Sequence, residues 1–308
     1  MKKVKQFAAG AVAVALMGLI AAPLYAQLPA NLRDYPLAQL QKQGDLVAPF
    51  FDGWIANADG STTMVFGFMN RNTDELVDIP LGPNNYIEPA QFDGAQPSHF
   101  PVYKRRGFVG IRERGAFAVT IPASMAGTEV VWTLNHAGHS YSIPGRATST
   151  AYEMSRLERA LGSFLPAIRF DMDGDESTDR EGIYAPQVTT SVGSPITLSA
   201  FVQDRGNRRQ YEELDSLYFP VGTEWILHQG PAIPEFGHAA VTGRDRGESG
   251  DASMSSSGDW TETETQVTFS EPGDYVIRLR VDNFMAPDSQ FDNQCCWSNA
   301  YVPVTVTP

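Results

Sequence analysis

Near its C-terminus the chain carries DYVIRLRVD (274–282) and YVPVTVT (301–307). Both runs place apolar side chains at every second position, the period of a β-strand with one buried face. The pattern recurs upstream in STTMVFGFMN (61–70), ELVDIP (75–80), AFAVTIP (116–122), EVVWTLN (129–135), VTTSVGSPITLSAFVQD (188–204), TEWIL (223–227) and 266–269, with clusters of Gly, Pro, Asn and Asp between runs. Short strands at this spacing read as an all-β sandwich. The fold class expected is all-β: two immunoglobulin-like β-sandwich domains joined by a short helix.

That helix is placed where the alternation stops. Thr150 and Glu153 form a capping-box pair, Met154, Leu157 and Leu161 recur at helical spacing, and Gly162 suits the position after a helix. A second short helix is expected over 37–43. The division that results is a signal peptide over 1–26, a lead-in over 27–50, an N-terminal β-sandwich over 51–146, a helical and acidic linker over 147–186, and a C-terminal immunoglobulin-like domain over 187–308.

The signal is read from Lys2, Lys3 and Lys5, the apolar run 7–22 and the exit Leu24-Tyr25-Ala26. The run is short for a membrane span and stops at Pro23. The chain is therefore expected to be exported, to the periplasm or beyond the cell, without membrane insertion. The full chain has net charge −13; the signal holds three of its 23 basic residues and none of its 36 acidic ones, so the processed chain stands at −16. That balance argues against nucleic acid and anionic membrane as partners, which call for clustered Lys and Arg.

The segments VGSPITLSAFVQD, TEW, FSEPGDYVIRLRVD and VPVTVTP resemble the immunoglobulin-like sandwich of PKD- and cadherin-type extracellular domains. The resemblance implies that Trp225 is the buried strand-C tryptophan and Tyr275 the tyrosine corner, with Ile277 where a disulfide cysteine commonly stands. FGFMNRN…VDIPLGPNNYIEP…QPSHF…VVWTL and a late CCW also resemble a group of uncharacterised exported bacterial proteins, a likeness that implies no activity.

Four constellations could carry chemistry. Asp171, Asp173, Asp175 and Asp179 occupy positions 1, 3, 5 and 9 of a calcium-loop count, with Glu176 and Gly182 departing from that pattern at positions 6 and 12. In a sandwich of the implied topology Asp204 and Asp282 close strands at the same end. These six carboxylates are the expected Ca²⁺ site at the domain junction; the alternative is a solvated, charged linker. Cys295 and Cys296 are the only cysteines and are adjacent. Neighbouring Cα atoms lie ~3.8 Å apart, closer than the usual ~4.4–6.8 Å of a disulfide. A strained vicinal disulfide is expected, with free thiols and an intermolecular bond as alternatives. His136 and His139 flank Ala137-Gly138 and would face each other across a hairpin, a possible second metal site with His99 as a third ligand. Tyr103 to Arg106, with Arg112 and Arg114, form the one basic cluster, expected to dock the acidic second domain. Trp54 and Trp132 are expected in the core and Trp260 at the surface.

No nucleophile elbow, His-Glu-x-x-His, phosphate loop or dinucleotide fingerprint occurs. The expected function is an exported non-enzymatic binding or structural module, its ligand a protein, carbohydrate or matrix component, with a Ca²⁺-ordered junction. The alternatives are a small hydrolase or metal-dependent enzyme with its site between the domains, and a subunit of a surface assembly.

Overall fold

A computed structural model describes residues 40–102, 112–154, 164–177, 179–205, 221–237, 252–253, 259–282 and 297–308. Eight strands build the first half: β1 (Val47–Ala56), β2 (Thr62–Asn70), β3 (Val77–Asp78), β4 (Asn85–Glu88), β5 (His99–Phe100), β6 (Arg112–Ile121), β7 (Val130–His136) and β8 (His139–Gly145). Ten build the second: β9 (Ala167–Arg169), β10 (Ile183–Tyr184), β11 (Val188–Ser191), β12 (Ile196–Gln203), β13 (Val221–Gln229), β14 (Glu235–Phe236), β15 (Ala252–Ser253), β16 (Thr261–Thr268), β17 (Gly273–Asp282) and β18 (Trp297–Thr307). The fold is all-β, and no helix of seven or more residues occurs among the described residues.

The first half stacks the sheet β1-β2-β6 on β4-β7-β8, with the pair β3-β5 closing one side. Its core is aromatic: Phe66 stacks on Phe117, and Trp132 meets Phe117 edge-on at 5.0 Å. The second half packs β14-β16-β12-β9 against β10-β18-β17-β13-β15, with β11 also pairing β18 in parallel. Its core gathers the inward residues of alternating strands, among them Leu198, Trp225, Ile277, Leu279 and Val302. Trp225 is buried there, and the Tyr275 hydroxyl donates to the Glu271 carbonyl four residues upstream at 2.9 Å. Both are the features of an immunoglobulin-like sandwich.

Several expectations need correction. The lead-in ends at β1, which starts at Val47, and Gln41 forms a bridge with Asn72 where a short helix was expected. At 150–154 the chain makes one 3-10 turn, Thr150–Tyr152, capped by the Ser149 side chain rather than by Thr150. Glu153 is then extended and bridges Trp54. The remainder of the expected helix, 155–163, lies outside the described residues. The acidic stretch is not a linker ahead of strand A. β9 and β10 flank it, pairing β12 and β18 respectively, so it crosses from one sheet of the second sandwich to the other.

Candidate functional site

Residues 41–308 form one compact unit, and its least ordinary region is the joint between the two sandwiches. On β17, Tyr275, Ile277, Leu279 and Val281 face the core, so Arg278 and Arg280 must face outward. They are nonetheless only 3% and 1% exposed, because β6 of the first half covers them. Glu113 of β6 is fully buried and accepts from Arg280 Nη1 at 2.6 Å and Arg278 Nη2 at 3.0 Å. Arg280 also donates to the Arg114 carbonyl at 2.7 Å, and Arg278 to the Ala116 carbonyl.

Two irregularities shape the first half for this contact. The β1–β2 register shifts at Asp52, and the β2–β6 register shifts so that 114–116 bulge opposite Gly67. Asp52 thereby reaches into the bulge: its Oδ2 accepts from Gly115 N at 2.8 Å and its Oδ1 from Arg112 at 2.5 Å, with Arg114 at 3.6 Å. Burial pushes the Asp52 carboxyl up, against the pull of Arg112, the Gly115 N–H and Arg114. Gly115 has φ +57°, and a Cβ there would fall 1.9 Å from Trp297 Nε1.

Trp297 fills that notch. It is 1% exposed and packs with Ile55, Val65, Ala118 and Met154 of the first half. Arg180 lies over its ring at 4.2 Å, and neighbouring Asn299 donates to the Gly115 carbonyl at 2.8 Å. A second contact zone runs along β13. His228 bonds the Ala95 carbonyl through Nε2 at 2.9 Å, Gln229 donates to the Gly94 and Gln96 carbonyls, and Ser98 N donates to the His228 carbonyl. His228 Nδ1 is buried without a partner, so the ring is neutral; burial and then Arg278 lower its pKa to about 3. Tyr301 stacks between His228 and Tyr184, and burial raises its phenol pKa. Burial likewise raises Glu181, against hydrogen bonds with Thr120 of β6.

The 94–98 segment is held by buried amides. Asn85 Nδ2 donates to the Ile79 and Pro97 carbonyls, its Oδ1 accepts from Trp132 Nε1 at 3.0 Å, and Gln96 Nε2 reaches the Asn85 carbonyl. Asn85, Gln96, Ser98, Trp132 and Trp297 all belong to the PNNYIEP, QPSHF, VVWTL and CCW segments. Those segments thus build one feature, the joint.

The sequence-predicted sites fall differently. Among the described residues no three His, Cys, Asp or Glu lie close enough to hold a metal. Asp171 Oδ1 accepts from Asp173 N, and Asp179 Oδ1 accepts from Glu181 N and Gly182 N, so both carboxylates close local turns. Asp175 is exposed, whereas Asp204 and Asp282 are buried where β12 and β17 end. His136 and His139 do pair across a two-residue turn, with positive φ at Ala137 and Gly138. His99 is bound to Asp78 at 2.7 Å and does not complete a set of three. Cys295, Cys296 and the cluster 103–106 lie outside the described residues.

Arg112 and Arg114 both approach Asp52 of their own half, while Arg278 and Arg280 of the second half cross the joint to Glu113. Trp132 is a core residue, Trp54 is half-buried with its Nε1 donating to the Ser149 carbonyl, and Trp260 is half-buried beneath Arg169, whose guanidinium sits 3.7 Å from the ring. No helix among the described residues is long and apolar enough to cross a membrane.

No protein-family description and no curated protein matches the chain. Solved structures similar to it include the D00-D0 domain of intimin, at 8% identity and TM-score 0.24 over 84% of this chain and 100% of that one. Domains 4 and 5 of the S-layer protein SbsC match at 11% identity and TM-score 0.23, over 60% of this chain and 67% of that one. A protein of unknown function from Porphyromonas gingivalis W83 matches at 10% and 0.23, over 84% and 98%. At such scores the likeness carries no argument about function.

Proposed function

We propose that this chain is an exported, non-enzymatic binding or structural module whose two sandwiches act as one rigid body. The observation that carries the reading is the joint: Glu113, Arg278, Arg280 and Trp297 are buried between the halves. Domains in one chain move relative to each other when their interface is small and weakly packed. A contact filled by a tryptophan and paired buried charges opposes such motion. The same pairing weighs against the alternative of a hydrolase with its site between the sandwiches, because Asp52 and Glu113 are already engaged by arginines and a backbone N–H.

Small-angle scattering on the chain beginning at Gln27 should fit one rigid envelope, and a population of independently oriented halves would refute the rigid body. Saturable retention on immobilised cell-envelope polysaccharide or matrix protein, without turnover, is the expected functional result. Hydrolysis of ester, peptide or glycoside substrates by the pure protein would establish the enzyme instead. Export is tested by N-terminal sequencing of the chain recovered from periplasm or medium.

Two further parts of the proposal come from sequence spacing alone. Closure of Cys295 and Cys296 on each other predicts a monomer on a non-reducing gel. Ordering by Ca²⁺ would require the Asp171–Asp179 segment to draw its carboxylates together, away from the turns they now close.

A further inference from the structure

The turn that crosses between β9 and β10 leaves a cleft of about 370 Å³ beside the joint. Phe170, Ile183 and Pro186 line it with apolar surface, Tyr184 forms one wall, and Asp171 and Asp175 stand on its rim. Its volume lies within the ~300–1,000 Å³ of small-molecule clefts, and a mostly apolar lining with a few placed polar groups is their usual make-up. We propose that this cleft is a saccharide subsite.

Tyr184 carries the argument. It is 60% exposed, the most exposed large hydrophobic side chain among the described residues. Its ring is also held in place: it stacks on the buried Tyr301 at 4.8 Å, with 21° between planes. One face is therefore fixed against the joint, and an aromatic surface stands pre-positioned with a phenol at its edge. A pyranose ring matches that surface, offering an apolar C–H face to the ring and hydroxyl donors to neighbouring acceptors.

The acceptors are present. Asp171 Oδ1 takes the Asp173 N–H and Gly174 N–H bonds the Asp171 carbonyl, which orients the carboxylate and leaves Oδ2 for a ligand. Asp175 adds a second carboxylate. Among the described residues no basic side chain lines the cleft. The adjacent Arg169 is engaged by Glu176 and the Met172 carbonyl, and Arg205 by Glu176. Anionic ligands are thereby disfavoured, and a neutral sugar is matched by charge-assisted O–H···O⁻ bonds. A lone ammonium would satisfy the carboxylates but leave the apolar floor uncovered. The inference rests on the binding-module reading and names its ligand class.

The test is saturation-transfer NMR on the chain beginning at Gln27, with chitotriose, cellotriose, maltotriose and trilysine as probes. At least one saccharide should receive saturation, with a Kd of about 1 mM or tighter. Tyr184→Ala should abolish the transfer, Tyr184→Phe should hold affinity within about threefold, and Asp175→Asn should weaken it about tenfold. Each variant is checked for an unchanged melting temperature. Absence of transfer to every saccharide, or transfer that survives Tyr184→Ala, overturns the proposal. Binding of trilysine alone overturns it in favour of a cationic-peptide site. If the saccharides fail while the rigid envelope and saturable retention hold, only the subsite falls and the module reading stands.

Discussion

Removing the Glu113 side chain should be the most damaging single change at the joint. Glu113→Ala takes from two guanidinium groups, 1% and 3% exposed, the carboxylate they share at 2.6 and 3.0 Å. Each arginine keeps a backbone carbonyl, of Arg114 and Ala116, so neither loses every acceptor. What both lose is the carboxylate they share, and deleting one member of a buried pair costs about 3–5 kcal/mol. For a unit of this size that is a fall in melting temperature of roughly 6–20 °C. Equilibrium urea unfolding followed by tryptophan fluorescence measures the cost, with Trp297 reporting the joint itself. A comparison variant separates stranded charge from lost packing. In Glu113→Leu/Arg278→Leu/Arg280→Met no charge is left behind, and stability should return to within about 2 kcal/mol of the parent. A cost below about 1 kcal/mol for Glu113→Ala would mean that water reaches the network. A triple variant as unstable as the single one would refute the account in terms of unpaired charge.

Gly115→Ala should cost about 3 kcal/mol or more in urea unfolding, since it pairs an unfavourable φ with a Cβ placed 1.9 Å from Trp297 Nε1. Tyr275→Phe deletes the hydroxyl that bonds the Glu271 carbonyl and should cost about 1 kcal/mol by the same assay. His228 is neutral in the fold down to about pH 3 but titrates near 6.5 when unfolded, so the unfolded chain binds the extra proton between those values. Its stabilisation is complete above pH 6.5 and is lost progressively as pH falls toward 3; His228→Gln, which can still donate to Ala95, should remove that part of the slope in urea midpoints taken at pH 7, 5 and 4. Millimolar Ca²⁺ against EDTA decides the acidic segment: a rise in melting temperature of roughly 5–10 °C that vanishes in Asp173→Ala would establish a site, and equal melting would leave the aspartates as turn residues.

Strands with apolar alternation were legible. β2, β6, β7, β12, β17 and β18 follow from alternating apolar residues, on β17 Tyr275, Ile277, Leu279 and Val281, and the tyrosine corner followed from the resemblance to immunoglobulin-like domains. β16 was seen only at its end. Its inward residues begin with Thr263 and Thr265, which pack against β12, while Glu262, Glu264 and Gln266 face solvent, so the period of two is carried by threonine against glutamate rather than by apolar residues. β1 was not read as a strand, the boundary at 51 falling inside it; Asp52 interrupts its alternation, and that interruption is the bulge the joint depends on. β9 and β10 are three and two residues long, too short for any period to show. The joint was hidden for another reason. Arg278 and Arg280 occupy the outward positions of a strand, where arginine ordinarily means solvent, and their partner lies 165 and 167 residues upstream. Only the fold brings those positions together, and the quoted segments of resemblance gave no hint that they converge.

The side chain that locks the two sandwiches sits on β18, far along the chain from the notch it fills. β18 supplies Trp297, Asn299 and Tyr301 to the joint and pairs with β17, β10 and β11. A chain synthesised from its N-terminus can complete the sheets of the first half early, because every strand of that half precedes residue 146. Glu113 meets its arginines once β17 has followed, and the notch at Gly115 is filled only when β18 brings Trp297. Loss of β18 would remove the tryptophan plug and a partner of β17 together. The joint thus couples the two sandwiches in time: the first can form its sheets alone, but its notch closes only when β18 is in place.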